Sequence, residues 1–245
     1  MKICAYVLCA GLGTRLKPLT EKTPKPLVKV QDKTCLDWIV EKICQTGINQ
    51  IFVNSFHLKE QIEEHLKSKW PTVTIIEEHF LSGTGGAIRA NRYLENFDGV
   101  LVHNGDILSS TSLSDLISFH VKKGFDVTLA CNSAIQSRYI SFFNERLCGW
   151  GNSQKRTYFG FISSSKRHFL GIHFLSGSVL KFFYNEKTET FSIFDIYLKY
   201  PLNAGEYFDT TDFWIDIGTI EDLHAAEVIE DLADKLGLVN THQQQ

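Results

Sequence analysis

The 245-residue chain predicts an α/β fold, a mostly parallel mixed sheet with helices on both faces, as an α/β/α sandwich. Three observations carry that reading. Short apolar runs alternate with segments of helical spacing through the first 132 residues. The runs at Ile3–Cys9 and Gly99–His103 lead straight into glycine-containing loops, as buried parallel strands do. After residue 132 the rhythm gives way to short, aromatic-rich stretches of antiparallel character.

Taken in order, Ile3–Cys9 reads as the first strand. Leu36, Ile39, Val40, Ile43 and Cys44 then follow helical spacing, with Gly47 placed as a C-terminal cap. Ile48–Asn54 is the second strand, Leu58–Lys69 a helix carrying Ile62 and Leu66, and Thr72–Glu77 the third strand. Gly85–Leu94 reads as helix, and Gly99–His103 as a strand that runs into Asn104-Gly105-Asp106. Leu113–Lys122 is helical and Asp126–Cys131 extended. Arg138–Phe143, Leu147–Trp150, Thr157–Ile162 and His168–Leu175 read as antiparallel strands. Ser176–Tyr184 and Phe191–Tyr200 read as helices, Phe208–Ile217 as a strand, and Ile220–Leu236 as a closing amphipathic helix. One domain over residues 1–236 is expected, divided at 132 into two halves, with a polar tail over 237–245.

Composition narrows the function. With 43% hydrophobic and 22% charged residues, the chain resembles ordinary globular proteins and needs no disulfide framework. A formal net charge of −3 shows no basic excess, so nucleic acid is not an expected partner. The six cysteines (Cys4, Cys9, Cys35, Cys44, Cys131 and Cys148) include no CxxC pair. Zinc is therefore not expected, and a reducing cytoplasm is. Lys2 followed by Ile3–Ala10 looks like a miniature signal peptide, but Gly11-Leu12-Gly13-Thr14-Arg15 stands where a cleavage site should be. No apolar run approaches a membrane span, so no membrane partner is expected.

The most informative segment is Gly11–Val30, GLGTRLKPLTEKTPKPLVKV. It opens at the carboxyl end of the first strand, where open α/β sheets bind ligands. Gly11 and Gly13 let the backbone approach a phosphate, and Thr14 adds a hydroxyl. Arg15, Lys17, Lys22, Lys25 and Lys29 face one acid, Glu21, so the loop carries net +4. Pro18, Pro24 and Pro26 restrict its unfolded freedom. A rigid basic loop of this kind suits an anion. It is not a dinucleotide fingerprint, because Leu16 occupies the third small-residue position and the second strand ends in Asn54-Ser55 without an acid. No Gly-Lys-Ser/Thr makes it a P-loop.

With those residues set out, the segment resembles the signature of the sugar-1-phosphate nucleotidylyltransferases. That signature is a strand, then GxGTR, then Pro-Lys-Pro about ten residues on. Leu8–Val30 matches it almost throughout, and Cys9 stands where alanine is usual. Gly83-Thr84-Gly85-Gly86-Ala87 resembles the family's base-recognition turn, Asn104-Gly105-Asp106 its first metal motif, and Trp214–Thr219 its second. The resemblance runs from residue 3 to about 230 and is weakest between 132 and 200. It implies a Rossmann-like fold with a nucleotide-binding half and a sugar-binding half. The implied reaction is attack of a sugar-1-phosphate on the α-phosphorus of an NTP, releasing pyrophosphate. The nucleophile is already an anion, so catalysis is positioning and charge neutralisation.

On the resemblance, Leu8, Ala10, Gly11, Gly13, Thr14, Gly83, Thr84, Gly85 and Asn104 bind the nucleotide. Arg15 and Lys25 are catalytic, a fork for the leaving pyrophosphate and a point charge for the α-phosphate. Asp106 and Asp216 hold Mg²⁺. Asn152, Lys155, Gly171 and Asp195 are the sugar candidates, although loop and cap roles explain them equally. His103, His173 and Glu77-Glu78 read as structural. UTP or GTP is favoured, leaning to a short uridylyltransferase acting on an amino-sugar phosphate, as monomer or homodimer. No hexapeptide-repeat tail or fused acyltransferase is expected. A nucleotide-sugar-dependent glycosyltransferase would carry Asp-x-Asp, and Asp106-Ile107-Leu108 lacks the second carboxylate. A non-catalytic regulatory relative would be expected to lose the arginine or an aspartate.

Overall fold

The computed structural model describes residues 1–133, 137–209 and 213–238. The chain opens with β1 (Ile3–Leu8), a hairpin of β2 (Lys29–Val30) and β3 (Lys33–Thr34), α1 (Cys35–Cys44) and β4 (Ile51–Ser55). Next come α2 (Lys59–Lys69), β5 (Thr74–Glu77), α3 (Gly83–Ala90), β6 (Gly99–Asn104), β7 (Ile107–Ser109), α4 (Leu113–Lys123) and β8 (Val127–Asn132). The antiparallel stretch holds β9 (Arg138–Phe143), β10 (Arg146–Asn152), β11 (Thr157–Gly160) and β12 (Ser165–Ser176). It is followed by α5 (Leu180–Tyr184), α6 (Ile193–Lys199), β13 (Ala204–Phe208), β14 (Trp214–Asp216), α7 (Ile220–Glu227) and α8 (Leu232–Lys235).

These elements fall into two compact units that interleave in sequence, so residues 1–132 and 133–236 each contribute to both. One unit holds Cys4–Leu81, His103–Leu113 and the described residues 213–238. Its β1, β4 and β5 are parallel neighbours, in register Val7↔Val53 and Val53↔Ile75. Cys4–Val7 are fully buried, with Ile39, Val40, Ile43, Ile62 and Leu66 also in the core. Each of the Val, Ile and Leu side chains among them contributes about 1.5–3 kcal/mol through burial. The near-continuous apolar β1 is what a strand covered on both faces requires.

The other unit holds Met1–Ile3, Ser82–Val102 and the described residues between 114 and 209. It is mixed: β13 runs parallel to β8, while β12 pairs antiparallel with β8 and β9, and β10 with β9 and β11. The expected α/β class with a mixed sheet is therefore present. Among the described residues no helix is long and apolar enough to cross a membrane.

Four boundaries differ from expectation. Phe208–Ile217 is not one strand: Ala204–Phe208 pairs with β8 and Trp214–Asp216 with β7, and residues 210–212 lie outside the described set. The closing helix Ile220–Leu236 is interrupted: α7 ends at Glu227, and Asp231, in a left-handed conformation (φ 51°), caps the start of α8. The freed Ile229 carbonyl accepts from Gln31 Nε2 at 2.6 Å. Gly85–Leu94 starts earlier, at Gly83, and gives way to a 3-10 segment at Asn91, whose Oδ1 accepts from Tyr93 N. Ser176–Tyr184 begins as a 3-10 turn over Gly177–Val179 before α5.

One anchor of the first unit was not foreseen. Thr34 and Asp37 form a capping box at the start of α1, with bonds of 3.1 and 3.2 Å. The buried Asp37 carboxylate also accepts from Trp70 Nε1 (2.7 Å) and His65 Nε2 (2.9 Å), and it pairs with Lys69 (2.9 Å). Burial opposes its ionisation, yet these donors outweigh burial and hold the carboxyl well below the usual range.

Candidate active site

The loop after β1 folds as three single 3-10 turns, Thr14–Leu16, Leu19–Glu21 and Lys25–Leu27. Gly13 takes φ 60°, and a Cβ there would lie 2.8 Å from Thr20 Cγ2, so both backbone and space call for glycine. The buried Thr20 donates through Oγ1 to the Gly13 carbonyl at 2.8 Å, and Leu16 N donates to it at 2.9 Å. From the β4–α2 side, His57 Nε2 donates to Thr20 O and Gln61 Nε2 to Lys22 O. The loop is thus held from beneath, with Gly11, Thr14, Arg15, Lys17 and Lys22 exposed. A Cβ on Gly11 would meet no atom within 4 Å, so the fold itself does not demand glycine there.

Lys25 differs from the other basic residues of the loop. Pro24 precedes the last 3-10 turn and Pro26 lies within it, and the Lys25 side chain is only 10% exposed. Its ammonium pairs with Asp106 Oδ2 and with Asp216 Oδ1 at 3.3 Å. Arg15 Nη2 stands 3.4 Å from Asp216 Oδ2, on a side chain 59% exposed.

The carboxylates, far apart in sequence, meet through a two-stranded ladder. Strand β14 pairs antiparallel with β7, placing Asp216 opposite Ile107. Ile217 N donates to Asp106 O at 2.8 Å, and Gly105 N to Leu8 O at 2.9 Å, which ties the aspartate motif to the end of β1. The close approach is tight: a Cβ on Gly105 would lie 2.5 Å from Cys9 Sγ and 2.9 Å from Leu8 O. A Cβ on Gly218 would lie 2.8 Å from both terminal nitrogens of Arg15. Arg15, Lys25, Asp106 and Asp216 are therefore brought together in one unit, beside Leu8, Ala10 and Asn104.

Burial pushes the Asp106 carboxyl up, with Lys25 pulling down and Asp216 adding to the rise. Burial also pushes up the thiols of Cys9, together with Cys35 and Asp106, and of Cys35, together with Asp106. His103 is buried and held down to about 4, with its ring Nδ1 on Asn104 O at 2.8 Å. At neutral pH the site accordingly offers no thiolate at Cys9 or Cys35 and no imidazolium at His103.

Gly83, Thr84 and Gly85 lie in the other unit, at the start of α3. A Cβ on Gly83 would lie 2.5 Å from Phe191 O, and one on Gly85 would strike the Phe191 ring. Gly85 N donates to Phe191 O at 3.0 Å, and Thr84 Oγ1 accepts from Ile193 N. Packing against 191–193 thus already explains both glycines. Asn152 is buried, and its Oδ1 accepts from the backbone N of the exposed Lys155 at 3.0 Å, closing a turn. Gly171 takes φ 75° within the register shift of β12 between Phe169 and His173. Asp195 fills the capping box of α6, accepting from Ser192 N at 2.7 Å.

Two buried residues near the loop, Asn54, read from the sequence only as a strand end, and Glu78, read as structural, are joined to it. Asn54 Oδ1 accepts from Cys9 N, and Asn54 Nδ2 donates to Glu78 Oε1, each at 2.5 Å. The only signal was a polar residue ending an otherwise apolar strand.

The profile of the nucleotidyl transferase family matches residues 4–142. A D-glycero-alpha-D-manno-heptose 1-phosphate guanylyltransferase of Campylobacter jejuni is 37% identical over 116 residues, 46% of this chain and 51% of that protein. The Bifunctional protein GlmU of Methanocaldococcus jannaschii is 35% identical over 116 residues, 47% of this chain and 28% of that protein. Each match covers well under two thirds of the relative's length. In structure, a putative glucose-1-phosphate thymidylyltransferase from Bacillus anthracis aligns with TM-score 0.78 at 20% identity, covering 92% of this chain and 94% of that one. HddC from Yersinia pseudotuberculosis aligns with TM-score 0.73 at 22% identity, covering 91% and 97%. The solved structures share the fold, and the profile spans more than half of the sequence: the chain belongs to the nucleotidyl transferase family.

Proposed function

We propose that the protein transfers a nucleotidyl group from an NTP to a sugar-1-phosphate, forming a nucleotide-sugar and pyrophosphate. The carrying observation is the convergence of Arg15, Lys25, Asp106 and Asp216 beside the exposed backbone of Gly11–Thr14. A sugar phosphate oxygen attacks the α-phosphorus, and the bond to the α–β bridging oxygen breaks. No side-chain nucleophile is needed, which suits a site where the Cys9 and Cys35 thiols stay protonated and the buried His103 stays neutral.

Amides of the loop receive the phosphates, and Leu8, Ala10 and Asn104 line the nucleotide's approach. Arg15, exposed and forked, takes the leaving pyrophosphate, while the fixed Lys25 faces the α-phosphate. The donor set of Asp106 and Asp216 fits Mg²⁺, which takes one or two carboxylates with phosphates and waters, and the pair already organises one cation, the Lys25 ammonium. Held by these two carboxylates, such an ion would supply charge neutralisation at the transferring phosphate. Gly83, Thr84 and Gly85 are assigned to the base, and Asn152, Lys155, Gly171 and Asp195 to the sugar. UTP and GTP are the favoured donors, in keeping with relatives named as guanylyl- and uridylyltransferases.

The test is pyrophosphate release across a matrix of four NTPs and a panel of hexose, heptose and amino-sugar 1-phosphates with Mg²⁺. Release that requires both substrates supports the reading. No release from any pair, with the nucleotide demonstrably bound, overturns it.

A further inference from the structure

Cys9 is the first residue past β1, and its N–H has left the ladder that pairs β1 with β4 in register Val7↔Val53. The side chain of Asn54 supplies the lost partner at 2.5 Å. Because a backbone N–H only donates, Asn54 must present its oxygen there, and its Nδ2 then faces Glu78 Oε1, also at 2.5 Å. Glu78 is itself fixed by its backbone N on Ser55 O at 2.9 Å. Asn54 is 2% and Glu78 6% exposed. The relay therefore crosses the carboxyl ends of three adjacent parallel strands, from just past β5, over the end of β4, to just past β1. It sets the direction in which the chain enters Ala10–Thr14.

We propose that Asn54 and Glu78 are positioning residues for the nucleotide, acting through the Cys9 peptide to aim the backbone amides of Gly11–Thr14 at its phosphates. This rests on the nucleotidyl-transfer reading of the loop. Neither residue touches substrate. A buried, directional relay transmits small displacements because each partner admits one orientation, and an error near 1 Å at a phosphate site costs about 100-fold in rate.

The polarity of the relay makes it testable by inversion. Asn54→Asp keeps the acceptor for Cys9 N but sets two carboxyls against each other. Adding Glu78→Gln restores a donor facing the introduced carboxylate, so Asn54→Asp/Glu78→Gln rebuilds the chain with its 54–78 bond reversed and its bond to Cys9 N unchanged. At pH 8, Asn54→Asp is expected to lower kcat/KM for the NTP by about 10–100-fold, and the double variant to return within about fivefold of wild type.

Melting curves accompany every variant. If Asn54→Asp fails to fold, the double variant decides. Folded and active, it supports the relay; folded with kcat/KM still depressed, it overturns it. An unaltered kcat/KM in folded Asn54→Asp, or a deficit that the second substitution does not relieve, likewise overturns it. NTP affinity is measured on the same set by calorimetry. A wild-type protein that binds NTP without turning over would sink the proposed reaction, yet the affinities would still read the relay by the same pattern.

Discussion

Replacing Gly105 by alanine tests whether the aspartate motif is fixed by its contact with the end of β1. The added Cβ would lie 2.5 Å from Cys9 Sγ and 2.9 Å from Leu8 O, against ordinary contacts of 3.4–4 Å. The thiol belongs to a buried residue, and the carbonyl is the acceptor of Gly105's own N–H at 2.9 Å, so relief of either contact loosens the junction. Overpacking of this size costs about 1–3 kcal/mol. Weakening the hydrogen bond adds about 1 kcal/mol. At about 2–4 °C per kcal/mol for a chain of this length, Tm should fall by about 5–15 °C. Asp106 follows immediately, so turnover should fall by about 100-fold in protein that is still folded. Cys9→Ala removes the closer of the two clashes, and the double variant should recover about 1 kcal/mol beyond additivity. Urea unfolding and kcat on the four species read all of this. A Gly105→Ala protein within about 0.5 kcal/mol of wild type and with wild-type turnover would refute the reasoning.

Three further outcomes follow from the same geometry. Arg15→Ala should lower kcat by about 100–1000-fold and leave stability within about 0.5 kcal/mol, since the side chain is largely exposed; a large drop in Tm would contradict a purely functional arginine. Gly218→Ala should push the Arg15 guanidinium aside and lower kcat by about tenfold with little change in Tm, checked by steady-state kinetics and thermal melts. Asp37→Asn should cost about 2–3 kcal/mol at pH 7 through lost charge-assisted bonds and cap. Because the folded-state pKa of Asp37 is lowered, that contribution is full above the unfolded value of about 3.9 and fades as pH falls below it. The gap between wild type and variant should therefore narrow in urea titrations below pH 4, and a constant gap would be inconsistent with an ionised Asp37.

What the sequence discloses depends on how local the determinant is. The run Ile3–Leu8, the glycine loop and the two aspartate motifs are each a contiguous signal, and the structure places Arg15, Lys25, Asp106 and Asp216, which the resemblance singled out, close to one another. Strand β7 escaped notice because three residues carry no periodicity, yet its pairing with β14 is what joins the aspartates. The single strand expected over Phe208–Ile217 failed for a related reason: hydropathy reports burial but not which sheet a segment joins. Asp231 is a residue type that occurs in both helical and left-handed backbone, so its turn could not be read from pattern alone. Asn54 and Glu78 lie 24 residues apart, and only the parallel order β1–β4–β5 makes them neighbours. For Gly83 and Gly85 the motif was visible, but the packing of Phe191 against them was not.

The central claim is that this cluster moves a nucleotidyl group rather than a phosphoryl group. The most direct measurement uses NTP labelled in either the α- or the γ-phosphate, incubated with a sugar-1-phosphate and Mg²⁺. The α-label is expected to enter a sugar-bearing product in one-to-one yield with pyrophosphate, and the γ-label to leave only as pyrophosphate. Label from the γ-phosphate on the sugar, or α-label that never leaves the nucleotide pool in protein that binds NTP, would contradict it.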